Sequence, residues 1–182
     1  MRTKNSKQLV IDTDVAQASG DENATAPRAI NCRDFLKEVM TQKHRMVMTR
    51  KISNEWNRHQ SRFALEWRAS MDARRKVVRI DPLENRELQD KITNTTDNED
   101  DTEAIQKDMH LLEAAMQTDK TIVSLDETIR SLFAYASRQV GEIRNIIWVN
   151  PERTTEEQPI TWLKNGALPE VHRQLSAYQP TK

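Results

Sequence analysis

Residues 8–14, QLVIDTD, and residues 121–126, TIVSLD, carry the strongest indication of the fold, because each is a short apolar run that ends in an acidic residue. Runs rich in Leu, Val and Ile are typical of strands that are buried on both faces of a parallel sheet. Ligands of such sheets bind beyond the carboxyl ends of the strands. We therefore expect Asp12 and Asp126 to lie at one edge of the sheet, on neighbouring strands if the first strand is central.

Two further acids are expected at the same edge: Glu55 in RKISNEW, after the second strand, and Asp108 in IQKDMHLLEAA, before the strand that leads to Asp126. Carboxylates that lie close together repel one another and raise one another's pKa values, and a divalent cation removes this repulsion. Oxygen ligands favour Mg²⁺ or Mn²⁺, which can activate a water and neutralise a leaving oxygen. The four acids are thus predicted to bind the metal and to catalyse phosphodiester hydrolysis, with Asp14 as a candidate outer ligand.

Length and composition favour one folded core with appendages. A chain of 182 residues suits a single core, and its 28 basic and 28 acidic residues cancel, so net charge names no partner. The single cysteine, Cys32, excludes an intramolecular disulfide and is interpreted as a partly buried helix thiol. No segment has the pattern of a signal peptide or a membrane span, so we expect a cytoplasmic protein with no membrane partner.

Strand and helix patterns alternate along the chain, which predicts α/β architecture with a mainly parallel sheet and helices on both of its faces. We expect a basic tail at residues 1–7, a core at 8–151 and a C-terminal extension at 152–182. Within the core, residues 13–27 are predicted to be a connection, and residues 27–42 and 51–73 each a single helix. The acidic insertion near 93–103 is interpreted as a loop or a helix N-terminus.

Residues 43–79 concentrate positive charge, with eleven basic and three acidic side chains. Such a region supplies sequence-independent affinity for phosphate, although a solvated helix face has the same composition. Arg58 and Arg62 share a helical face with Glu55 by spacing, and we expect these two arginines to contact substrate phosphate. Trp56 and Trp67 are expected to pack against the sheet rather than to stack on bases.

Five pieces of the sequence resemble PIN-domain nucleases, a family that includes the ribonuclease toxins of bacterial toxin–antitoxin pairs. The pieces are VIDTDV, EW, KDMHLLEAA, IVSLDE and the closing IIWVNP, and their order and spacing cover residues 9 to about 151. The resemblance implies a three-layer α/β/α sandwich with the metal-binding acids at Asp12, Glu55, Asp108 and Asp126. Asp14, where many relatives carry Asn, and the long acidic insertion depart from the family pattern.

What the family does supplies further expectations. By resemblance, Ser124 would orient a ligand or phosphate. The acid cluster and the basic helix lead to the separate hypothesis that the substrate is single-stranded RNA. The same resemblance implies an antitoxin or other protein partner, or a homodimer.

Two other readings of the same residues stay open. Asp12 and Asp14 also form the DxD that opens haloacid-dehalogenase-type phosphohydrolases, with Asp12 as the nucleophile and Thr49 as the phosphate-binding hydroxyl. Alternatively, the chain is a catalytically silent PIN-like module that binds nucleic acid or regulates a partner. The four histidines match no zinc motif, and His110 is predicted to lie on a different side of its helix from Asp108.

Overall fold

A five-stranded, all-parallel sheet forms the centre of the protein, whose computed structural model describes residues 6–180. Helices cover both faces of the sheet, so the predicted α/β class and three-layer α/β/α architecture are confirmed. The strands lie in the order β3-β2-β1-β4-β5, and their bounds are β1 Gln8–Ile11, β2 Arg45–Met48, β3 Val77–Arg79, β4 Thr121–Val123 and β5 Ile147–Val149.

Eight α-helices occur within residues 6–180. Their bounds are α1 Thr13–Ala18, α2 Pro27–Thr41, α3 Arg50–His59, α4 Arg62–Ala73, α5 Arg86–Thr93, α6 Glu99–Met116, α7 Glu127–Ser137 and α8 Pro159–Lys164. Three short 3₁₀ turns follow at Gly141–Ile143, Val171–Arg173 and Leu175–Ala177. None of the helices in this described part of the chain is both long enough and apolar enough to cross a membrane.

Strand register brings the predicted acids to one edge. β1 is the central strand, with Val10 opposite Val47 of β2 on one side and Ile122 of β4 on the other. Asp12 directly follows β1, and Ser124 and Asp126 follow β4. The expectation that Asp12 and Asp126 follow neighbouring strands is confirmed, because the first strand is central.

The core explains the tryptophans. Trp56 and Trp67 are buried, and their indole rings lie 6.2 Å apart. Trp56 Nε1 donates to the carbonyl oxygen of Ile11, and Trp67 Nε1 donates to that of Leu36, so each polar atom of these rings is satisfied inside the core. The packing interpretation is therefore confirmed. Cys32 is buried in α2, where burial raises the pKa of its thiol to about 12.

Two of the predicted segments were wrong. The single helix expected over 51–73 is two helices, because the chain turns at Gln60 and Ser61. Ser61 caps the second helix by accepting a hydrogen bond from the N–H of Ala64 at 3.1 Å. Residues 13–27 are not simply a connection, because α1 begins at Thr13 directly after its capping residue, Asp12.

The acidic insertion is mostly a helix N-terminus. α6 begins at Glu99, capped by Asn98, and carries three acids in its first turn. Negative side chains at this end of a helix are stabilised by the helix dipole. The helix alternative is thus confirmed from Glu99 onward, and residues 94–98 form the connection before it.

The C-terminal extension packs on the sheet domain. Trp162, Leu163 and Leu175 are buried in the same hydrophobic core as the strands. Gln174 also forms an antiparallel bridge with Ile147 of β5. Of the basic tail expected at residues 1–7, residues 1–5 lie outside the described residues.

Candidate functional site

Asp12 lies where the central strand becomes a helix. Its N–H donates to the carbonyl oxygen of Val123 at 2.9 Å, which continues the pairing of β1 with β4. Its Oδ1 accepts a hydrogen bond from the N–H of Thr13 at 2.7 Å, and this capping contact fixes the carboxylate at the start of α1. The same residue therefore ends a strand, starts a helix and points its carboxylate beyond the sheet.

Ser124 holds two carboxylates together at this edge. Its Oγ lies 2.8 Å from Asp12 Oδ2 and 3.0 Å from Asp14 Oδ2. A hydroxyl has one proton, so it can donate to only one of these two oxygens at a time. The same Oγ accepts a hydrogen bond from the N–H of Asp126 at 3.1 Å. The hydroxyl proton can therefore stabilise only one of these two carboxylates at a time.

Asp14 is only partly satisfied. Its Oδ2 also accepts the N–H of Leu125 at 2.9 Å, whereas its buried Oδ1 has no hydrogen-bond partner within residues 6–180. An unpartnered buried carboxylate oxygen is costly, so a nearby proton or cation would stabilise this arrangement.

The pKa values of three acids reflect this environment. Burial, followed by the charge of Asp14, raises the pKa of Asp12 to about 7. Burial, with a smaller contribution from Asp126, raises the pKa of Asp14 to about 6. Burial and the charge of Asp12 raise the pKa of Asp108 to about 7. Near neutral pH the cluster therefore holds protons that ordinary carboxyl groups would have lost.

Glu55 and Asp108 complete the acidic side of the site. Glu55 Oε2 lies 3.2 Å from Nε2 of His110, which is on the facing helix α6. This nitrogen nevertheless forms no hydrogen bond of acceptable geometry within residues 6–180. His110 Nδ1 lies 3.0 Å from the carbonyl oxygen of Lys107, which can only accept, so Nδ1 carries the proton. Burial lowers the pKa of His110, while the charge of Glu55 opposes that shift. His110 lies on another side of α6 from Asp108, yet it contacts Glu55, which the sequence had not indicated.

The acidic side chains described above line one cleft with a volume of about 450 Å³, which we call the acidic cleft. The cleft is lined by Asp12, Thr13, Asp14, Gln17, Glu55, Arg58, His59, Lys107, Asp108 and Asp126. It combines five acids on its floor and walls with two permanent cations, Arg58 and Lys107. All four acids predicted from the sequence thus share the cleft, and Arg58 shares it with them.

Two predicted residues lie elsewhere. The side chain of Arg62 is 82% exposed, pairs with Glu66 at 3.3 Å and lines a different cleft with Asp21 and Glu22. Arg62 was predicted to contact phosphate because it would share a helical face with Glu55. The helix ends at His59 and a new one begins at Arg62, so the two residues do not lie on one helix. Thr49 caps α3 and lines a third cleft, so the hydroxyl required by the dehalogenase-type reading is not part of the acidic cleft.

The acids do not form a ready-made metal site. Within residues 6–180, no three His, Cys, Asp or Glu side chains are placed so that they could hold one metal ion together. The donor set nevertheless fits a hard cation, because it consists of carboxylates with an unpartnered oxygen on Asp14 and no arginine or lysine paired with Asp12 or Asp14 in this part of the chain. Binding would require side-chain rotation to bring a third oxygen to the Asp12 and Asp14 pair.

Sequence reasoning missed the central place of Asp14. Asp12 is the capping residue of α1, and Asp14 lies in the first turn of that helix. The sequence Asp-Thr-Asp followed by Val15 and Ala16 is a helix-start signal that would have predicted this. Treating residues 13–27 as a connection hid this geometry. Lys107 and His110 gave no signal beyond their neighbours in sequence, because their roles depend on the packing of α6 against α3.

Fold and site together define an α/β/α sandwich with an acidic cleft at the carboxyl edge of its central strands. No family model, curated protein or solved structure matches the chain.

Proposed function

We propose that the protein is a metal-dependent nuclease that hydrolyses phosphodiester bonds, with single-stranded RNA as its substrate. The observation that carries the proposal is the partly buried pair of Asp12 and Asp14, which contact one hydroxyl group and lack a counter-cation in residues 6–180. Natural proteins pair buried charges or use them to coordinate metals. The position of these carboxylate oxygens in a cleft supports the second alternative for this protein.

Asp12 and Asp14 would hold the metal, with Asp126, Asp108 or Glu55 completing the ligand set. When bound, Mg²⁺ or Mn²⁺ would activate a water and stabilise charge on the phosphate. The chain's own residues position these ligands: the Ser124 hydroxyl lies between the carboxylates of Asp12 and Asp14, and the N–H groups of Thr13 and Ile129 donate capping bonds to the carboxylates of Asp12 and Asp126.

The rim of the cleft would receive the substrate. Arg58 and Lys107 line the cleft beside the acids, and cations in this position attract a phosphate that the acids alone would repel. Hydrolysis adds water across one P–O bond and leaves a phosphate monoester and a hydroxyl. The resemblance to PIN-domain nucleases supports this reaction and supports, as further proposals, an antitoxin partner and a homodimer.

A catalytically silent binding module is the second candidate, and the absence of a converged three-ligand group within residues 6–180 favours it. Calorimetric titration with Mn²⁺ separates the two, using wild type and Asp12→Asn. A nuclease is expected to bind Mn²⁺, to lose this binding in Asp12→Asn and to cut labelled single-stranded RNA only when EDTA is absent. RNA binding without Mn²⁺ binding or cleavage, across an RNA and DNA panel, would establish the silent module instead.

A further inference from the structure

A second cleft adjoins the acidic cleft. We call it the Arg28 cleft; it has a volume of about 510 Å³ and is lined by Asp14, Gln17, Ala18, Arg28, Leu125 and Asp126. Asp14, Gln17 and Asp126 line both clefts, so the two spaces meet at the acids. The acids at the sheet edge thus border two adjoining clefts.

Each direction has its own cation. Arg58 and Lys107 line only the acidic cleft, and Arg28 lines only the Arg28 cleft. Helix α1 packs against α3, which carries Arg58, and also against α2, near whose start Arg28 lies. A polyanion that crosses the acids would therefore meet positive charge before and after them.

The walls of the Arg28 cleft suit a nucleotide. Ala18 is half-buried and, with the small exposed part of Leu125, provides an apolar wall for a base. Gln17 is exposed and offers both donor and acceptor groups. A space of this size exceeds what one phosphate needs. The cleft therefore has room for a base and sugar in addition to the phosphate at Arg28.

Arg28 is available to a ligand at small cost. Its Nε lies 3.0 Å from Glu152 Oε1, and the two side chains are 59% and 31% exposed. Ion pairs that are this exposed contribute little stability, so a phosphate can replace the carboxylate of Glu152. Glu152 then acts as a competitor that occupies Arg28 when no nucleic acid is bound.

We propose that the Arg28 cleft is a second nucleotide-binding subsite, in which Arg28 contacts a backbone phosphate of a single strand that passes across the acids. The proposal extends the proposed nuclease function and predicts that the strand continues on both sides of the reacting phosphate. The protein would then cut internal bonds, because a strand held in both clefts has nucleotides on each side of the reacting phosphate.

Binding tests the subsite independently of cleavage. In EDTA, fluorescence anisotropy with a labelled single-stranded oligouridylate should show about fivefold weaker binding for Arg28→Ala and tighter binding for Glu152→Gln, since the second variant frees Arg28. Arg86→Ala and Glu84→Gln are matched controls, because this exposed arginine–glutamate pair lies outside both clefts. The controls should bind as wild type does, and thermal melts should show that all four variants fold.

Cleavage then tests the cutting of internal bonds. With Mn²⁺, wild type should cut a circular single-stranded RNA, which has no ends, and Arg28→Ala should cut it about fivefold more slowly at subsaturating RNA. Wild-type affinity in Arg28→Ala, or no RNA binding by wild type, overturns the subsite. Binding that depends on Arg28 but is never followed by cleavage upholds the subsite and overturns the nuclease, and cleavage of linear but not circular RNA overturns the cutting of internal bonds.

Discussion

Two charged regions lie beyond the carboxyl ends of the strands. They differ in whether a cation forms an ion pair with their partly buried carboxylates. In the acidic cleft, Asp12 and Asp14 share a hydroxyl and no arginine or lysine pairs with them in the described part of the chain. Next to it, beyond β5, Glu127 and Glu157 lie in a second region that we call the paired network.

Every carboxylate in the paired network has a cation. Arg130, only 3% exposed, contacts both Glu157 and Glu127, and Arg153 contacts the same two acids. Asn150 and Tyr178 donate further hydrogen bonds to Glu127, at 2.8 and 2.6 Å. Burial alone would raise the pKa of Glu127, but the hydrogen bonds and arginines outweigh it and the pKa is lowered.

The contrast suggests a hypothesis: the paired acids are structural charges, and the acids of the cleft are functional charges in the proposed nuclease. Arginines form ion pairs with Glu127 and Glu157, whereas no arginine or lysine in residues 6–180 forms one with Asp12 or Asp14, although both groups of acids are partly buried and Arg58 and Lys107 line the acidic cleft. Charges that are paired hold the C-terminal segment on the sheet, as Tyr178 does through Glu127. The carboxylates of Asp12 and Asp14 are stabilised within the described chain by hydrogen bonds alone, so a cation from solution would add the ion pairing that the paired network already has.

The largest expected effect comes from Asp12→Asn. We expect RNA cleavage with Mn²⁺ to fall about a thousandfold, because the amide cannot replace the charge of a ligand at the centre of the cleft. Stability in EDTA at neutral pH should not fall, since the change removes a charge that burial and Asp14 disfavour. Cleavage assays and urea denaturation measure the two quantities. Undiminished cutting would contradict the metal assignment, and a large loss of stability would place Asp12 with the structural charges.

Arg130→Met should have the opposite profile. Removing the cation leaves Glu127 and Glu157 in a partly buried site, and unfolding in urea should show a loss of about 3 kcal/mol. Metal affinity should be unchanged, because Arg130 does not line the acidic cleft. Arg138→Met, at the exposed C-cap position of the same helix, is the matched control and should cost less than about 0.5 kcal/mol. Equal losses in the two variants would show that the paired network contributes no special stability.

Metal and pH should act together on the acidic cleft. The folded pKa values of Asp12, Asp14 and Asp108 lie above their usual values, so the folded state binds more protons between about pH 4 and 7. Their contribution to stability is therefore present at low pH and is lost as pH rises toward 7. Glu127, whose pKa is lowered, makes the opposite contribution to the pH dependence of stability. Comparing wild type with Asp12→Asn isolates the contribution of Asp12, and the variant should lose less stability as the pH is raised.

A divalent cation should replace the missing protons. At about a hundred times its dissociation constant, Mn²⁺ should raise the Tm at pH 8 by about 8 °C, because a ligand at that excess adds about 2.7 kcal/mol. The rise should be smaller at pH 5, where protons compete with the metal for the same oxygens. Differential scanning calorimetry in EDTA and in Mn²⁺ gives both values. A rise that is equal at the two pH values would mean that Mn²⁺ binds outside the acidic cleft.

Ser124→Ala should weaken the site without removing a ligand. Its hydroxyl lies between Asp12 and Asp14, and loss of a group that orients metal ligands lowers metal affinity about tenfold. Mn²⁺ titration calorimetry measures the change. Ser137→Ala, which also removes a buried hydroxyl but lies on α7 away from the cleft, should leave the affinity as in wild type. An unchanged affinity in Ser124→Ala would mean that capping bonds alone position the aspartates.

The sequence predicted the sheet and four acids of the cleft, because both depend on local patterns. Apolar runs identified the strands, and the rule that parallel strands present ligands at their carboxyl ends placed Asp12 and Asp126 together. The sequence could not place Arg62, since the break at Ser61 depends on one capping hydrogen bond within an otherwise helical pattern. Nor could it separate Glu127 from Asp126, adjacent acids whose different roles follow from the tertiary contacts of Arg130 and Tyr178.

The smallest expected effect tests how the paired network holds the C-terminal segment. Tyr178→Phe removes the hydroxyl that donates to Glu127 at 2.6 Å and keeps the ring, whose centroid lies 4.2 Å from the guanidinium carbon of Arg130. Unfolding in urea should show a loss of about 1 kcal/mol, because Glu127 keeps Asn150 and two arginines as partners. Metal affinity should stay at its wild-type value. If this variant instead lost Mn²⁺ binding, the paired network and the acidic cleft would be one coupled system, and the separation of structural from functional charge would not hold.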